Sequence, residues 1–214
     1  MKNTPLHSRL DHSQASLFVL STKTTGAIAA AAVGLATAAR PFGYRMSGRG
    51  LLLSMGALQC GWLGANLAIS FLEAPVKFLA PTPAKRSQLD VGRHVFSAFN
   101  KVEVLLAAFD LLGWYLLVQR GLVPGSSMTT AGTTTPFSGF RQLGWRQWLR
   151  FTPGLIVYVF ESFALLPALR GRSARVIEGR PVESARIHTL YVALEAVKIA
   201  ALTISTVTIG RALW

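Results

Sequence analysis

The chain has 214 residues, the size of one domain, but 51% of them are hydrophobic and only 14% are charged, where a soluble domain averages about 25% charged. The shortage falls on the acids, with nine Asp and Glu against 22 Lys and Arg and a net charge of +13. The basic residues lie between apolar runs, where they meet lipid head groups, which argues against nucleic acid; the single cysteine, Cys60, excludes an internal disulfide and a thiolate metal cluster.

Residues 1–50 form a basic leader with six Lys and Arg and one acid, Asp11. Such an acid-poor, hydroxyl-rich start has the composition of an organelle transit peptide. Its apolar stretch Gly26–Ala39 also reads as the core of a secretory signal. At 14 residues it covers ~21 Å as a helix, too short for ~30 Å of hydrocarbon. The leader is therefore expected to be a targeting segment or a peripheral helix. His7 and His12 within it carry no assignment.

The first span is Leu51–Ala80, which stops at Pro81 and holds Pro75 inside it, so a kink or helix end is expected near Glu73. A short connector leads to the second span, about 94–119. A long loop at about 121–147 follows and contains SSMTTAGTTTPFSG, a polar low-complexity tract. Its end, FRQLGWRQWLR, alternates aromatic and basic residues as membrane-interface anchors do. The third span is about 148–169, with Pro153 near its start. A basic loop then leads to the fourth span, about 187–213, before Trp214. The expected fold is all-α: an antiparallel four-helix membrane bundle over residues 51–214, preceded by the leader. The N-terminus, the long loop and the C-terminus are expected on the side opposite the two short connectors.

Glu73, Glu103, Glu161 and Glu195 each fall in a different span. A carboxylate inside a membrane costs roughly 2.5–3.5 kcal/mol on insertion scales and faces a bundle interior. At steps of three and four, polar residues fall on one stripe per span. These stripes are Gln59, Asn66, Ser70, Glu73 and Lys77; Asn100, Glu103 and Asp110; Tyr158 and Glu161; His188, Tyr191, Glu195, Lys198 and Ser205. Counting inward from the short-loop side places the four glutamates at one depth. The expected intramembrane polar layer is Glu73, Lys77, Asn100, Glu103, Tyr158, Glu161, Glu195 and Lys198.

Three readings of that layer stand side by side. It is structural glue between helices, a proton or cation site, or a metal centre. The last needs Glu-x-x-His, and Glu195-x-x-Lys198 is not that pattern, so no metal is expected. His94 and His188 both begin spans on one side and can in principle ligate a haem; contact with head groups is the simpler role, and no cofactor beyond bound anionic lipid is expected.

The stretches FLEAPVKF (71–78), FNKVEVLL (99–106) and HTLYVALEAVK (188–198) resemble a family of small four-helix integral membrane proteins of unknown function. The resemblance implies the four-span fold and transfers no catalytic residues. SFLEAP and YVFESF also begin similar helix–loop–helix units, which hints at an internal two-fold repeat. With no catalytic set in the chain, the leading expectation is a non-catalytic subunit of a larger membrane complex, an accessory subunit of a respiratory or ATP synthase assembly. The leader favours the mitochondrial inner membrane over a bacterial or other organelle membrane. The expected partners are other membrane subunits and anionic phospholipids. The alternative is a small transporter or channel that uses the glutamate layer.

Overall fold

A computed structural model describes residues 16–81, 84–123, 154–180 and 186–214. Regular structure among them is helical throughout. Five helices are long and apolar enough to cross a membrane: α1, Thr22–Arg45; α2, Gly48–Leu79; α3, Lys85–Gln119; α4, Gly154–Ile177; and α5, Arg186–Leu213. The threonine-rich tract, the aromatic–basic run after it and Pro153 lie outside the described residues.

The four-span expectation needs correction at the leader. Its apolar stretch belongs to α1, which has 24 residues and extends ~36 Å. The 14-residue limit fails because the flanking hydroxyls hide their polarity. Ser21 caps the helix by accepting from the Thr24 N–H, and Thr24 and Thr25 donate back to the Ser21 carbonyl at 2.7 and 3.3 Å. Pro41 lies inside the helix without ending it.

α1 packs along α3, and the two run in the same direction. Ala32 and Ala36 are buried against Val104, Ala107 and Ala108. Gly43 sits so close to α3 that a Cβ would overlap the Leu116 side chain. Small residues let the two backbones approach where lipid offers no hydrophobic drive. Both ends are pinned by cations. Lys101 Nζ donates to the Val19 carbonyl at 2.5 Å, and Arg170 donates to the Leu20 carbonyl and to Thr22 Oγ1. At the far end Arg40 donates to the Tyr115 hydroxyl at 2.6 Å and Arg120 to the Met46 carbonyl at 2.8 Å. The start of α1 therefore lies at the short-loop end, not opposite it.

α2 and α4 are each interrupted by a π turn followed by a proline. The first runs over Leu67–Glu73, where the Ala74 N–H reaches back five residues to the Ile69 carbonyl. The second runs over Glu161–Leu165, where the Leu166 N–H bonds the Glu161 carbonyl. Pro75 and Pro167 have no N–H for the fourth carbonyl back, and a widened turn absorbs the ring without breaking the helix. Hence α2 continues to Leu79 instead of ending at Glu73.

A fifth helix able to cross sets a labelling pattern. With Cys60 replaced by serine, single cysteines at Lys23, Ala84 and Glu178 are expected to react from one side of the membrane. A cysteine at Arg49 is expected to react only from the other. Reaction at positions 23 and 49 from the same side would remove α1 from the membrane.

Candidate functional site

Lys198 lies midway along α5, and its side chain is 1% exposed. Its ammonium meets carboxylates from three helices: Glu103 Oε1 on α3 at 2.9 Å, Glu161 Oε2 on α4 at 2.9 Å and Glu195 Oε1 on α5 at 3.1 Å. The last pair is one turn apart on the same helix; the other two depend on packing. All three glutamates are buried.

The surroundings fix this cluster unevenly. Glu103 Oε1 also accepts from Trp62 Nε1 on α2 at 2.9 Å, and the Trp62 ring stands edge-on to Tyr158 at 5.7 Å between centroids. Glu195 Oε1 accepts from the Tyr191 hydroxyl at 2.6 Å. Glu161 is different. Lys198 approaches its Oε2 at 2.9 Å, while its Oε1 has no partner among the described residues. This carboxylate begins the π turn of α4, a deformation that recurs at functional sites. A neighbouring network completes the interior: Ser162 Oγ donates to Asn100 Oδ1 at 2.6 Å, and the Tyr158 hydroxyl donates to the Asn100 carbonyl at 3.4 Å.

The formal charges do not balance. One ammonium faces three carboxylates, so full ionisation leaves two negative charges in an apolar interior. Such an excess costs several kcal/mol per charge unless a proton, a cation or water relieves it. The arrangement is suited to taking up and releasing small positive species.

Of the residues singled out in the sequence, Glu103, Glu161, Glu195 and Lys198 meet directly, with Asn100 and Tyr158 beside them. Glu73 and Lys77 do not join them. They pair with each other at 3.1 Å, with the Glu73 side chain 32% exposed. The Lys77 ammonium stands 5.2 Å from the centre of the Phe96 ring and lies over Gly92, where a Cβ would crowd it. The layer thus contains three glutamates, not four.

His94 and His188 have different surroundings. Both ring nitrogens of His94 are engaged, with Ser16 Oγ and with the Asp90 carbonyl, each at 2.8 Å; His188 is exposed. Among the described residues no group of three His, Cys, Asp or Glu is arranged to hold a metal ion. Trp62, Tyr191 and Ser162 complete the site beyond the expected set. Trp62 lies between Gln59 and Asn66 at helical spacing, so the α2 stripe contained the signal; its indole reads as apolar until its N–H finds a carboxylate. No family model, curated protein or solved structure matches this chain.

Proposed function

We propose that the protein is a small integral membrane transporter or channel that moves protons, or cations in exchange for them, through the cluster around Lys198. The observation that carries this reading is Glu161. It is buried, meets no donor besides the Lys198 ammonium, sits at a helix interruption and shares that ammonium with two other carboxylates. Structural glue would be expected to satisfy each polar atom; a carboxylate that keeps one oxygen open near the middle of a bundle suits an exchanging site.

Glu161→Gln keeps the shape and removes the exchangeable charge. In liposomes with a trapped pH-sensitive dye, the wild-type chain is expected to dissipate an imposed pH gradient, and the variant is expected to lose that activity while keeping its helical content. A wild type no faster than protein-free liposomes, for protons and for monovalent cations, would refute the transport reading.

The distal part of α2 favours a second reading, an accessory subunit of a larger membrane assembly. From Phe71 to Leu79 the helix buries no residue, and Phe71, Leu72, Val76 and Leu79 are exposed around the half-covered Glu73–Lys77 pair. A partner helix would shield that ion pair better than acyl chains. After gentle detergent extraction this reading requires co-migration with other membrane proteins; a small homo-oligomer would exclude it.

A further inference from the structure

Asp110 lies seven residues beyond Glu103 on α3 and close to the same helical face. It is 6% exposed. Its Oδ1 accepts from Gln59 Nε2 on α2 at 2.8 Å, and the Trp114 indole lies beside it on α3. Neither neighbour is basic, and among the described residues Asp110 has no ion pair. Packing alone does not call for a lone carboxylate inside an apolar bundle, and such residues mark ion or proton pathways.

Two further observations concern the same level of the bundle. α5 runs in the same direction as α3, so Ser205, seven residues beyond Lys198, lies level with Asp110. Ser205 Oγ and Gln59 Oε1 are both buried and have no hydrogen-bond partner. An open amide oxygen on the residue that holds this carboxylate suits bound water, which needs two to four polar neighbours. Beyond this level the described interior is mainly apolar. Leu51, Leu52, Met55, Leu117 and Ile209 close the bundle toward the long-loop end.

We propose that Asp110 is a second proton-binding carboxylate, in series with the Glu103–Glu161–Glu195–Lys198 cluster. This rests on the exchange function proposed for that cluster and extends it by one station, two helical turns or ~10.5 Å further along α3. In the forward step the O–H bond of protonated Asp110 breaks. The proton passes along waters held at Gln59 Oε1, each taking up one proton as it releases another, and an O–H bond forms on a carboxylate of the cluster. Lys198 keeps all three of its hydrogens and its charge. The reverse step returns the proton. Gln59 is a positioning residue, since its Nε2 holds Asp110 Oδ1.

Two measurements on the reconstituted full chain test this: decay of a pH gradient across the liposome, and infrared difference spectra between acidic and alkaline buffer. Asp110→Asn keeps an acceptor for Gln59 Nε2. It is expected to slow gradient decay about a hundredfold and to remove one carboxylic-acid C=O band, while Asp110→Glu retains most of the flux and shifts the band. Wild-type decay in Asp110→Asn with every band retained would overturn the proposal. A wild type that passes no protons refutes the transport function, and the infrared titration then decides alone. Loss of the band in Asp110→Asn sustains Asp110 as a proton-binding group; its persistence removes it. If Asp110→Asn does not fold, a band that moves in Asp110→Glu sustains the assignment, and an unmoved band removes it.

Discussion

Lys198→Met is expected to destabilise the bundle by about 3–5 kcal/mol, the range for stranding a buried charge by removing its partner. The length and packing of the side chain are kept, and only the ammonium is lost. Glu103, Glu161 and Glu195 then face one another without a counter-charge. Thermal or denaturant unfolding in detergent should register the loss, and adding Glu103→Gln and Glu195→Gln to Lys198→Met should recover part of it. The single change Glu195→Ala is expected to cost less than Lys198→Met, because Lys198 keeps Glu103 and Glu161. A Lys198→Met protein as stable as the wild type would mean that the ammonium does not hold the three helices together.

Deletion of residues 2–40 is expected to destabilise the remaining helices as well. A dispensable leader would come away cleanly. Instead the deletion uncovers Val104, Ala107 and Ala108 and removes Arg40 from Tyr115. It also takes the Val19 carbonyl and Thr25 hydroxyl from the buried Lys101 ammonium. A loss of about 3 kcal/mol corresponds to roughly 6–12 °C in the unfolding midpoint for a chain of this size. Gly43→Leu tests the same contact without truncation, since its side chain would have to displace Leu116. An unchanged midpoint in both variants would show that α1 contributes nothing to the bundle.

Much of the interior was legible because helical periodicity and membrane cost act together. Lys198, Glu195 and Glu103 are too costly to face lipid, and each lies on a regular stretch of helix where steps of three and four hold. Glu73 was misplaced because those steps do not hold through Leu67–Glu73. A π turn takes more residues per turn than an α turn, so the stripe Gln59–Asn66–Ser70 loses its phase before Glu73. Proline at 75 announced a disturbance, and its sequence context could not say whether the helix would end, kink or widen. α1 is longer than its apolar stretch for a different reason. Apolar letters alone understate its length, since Thr24 and Thr25 sit inside the helix bonded to backbone and Arg40 Nη2 donates to Tyr115. The partnership of α1 with α3 depends on small residues, Ala32, Ala36 and Gly43, whose helical spacing of four and seven is hidden among many other small residues.

The pairing of α1 with α3 has a consequence for biogenesis. Helices that follow one another in the chain can zip together as hairpins when they leave the ribosome. α1 instead finds its main neighbour two helices later. The carbonyls of Val19 and Leu20, just ahead of it, are met by Lys101 from α3 and Arg170 from α4. The start of α1 is thus fixed only after the fourth helix has emerged, and until then it depends on lipid, water or an insertion factor to cover those carbonyls.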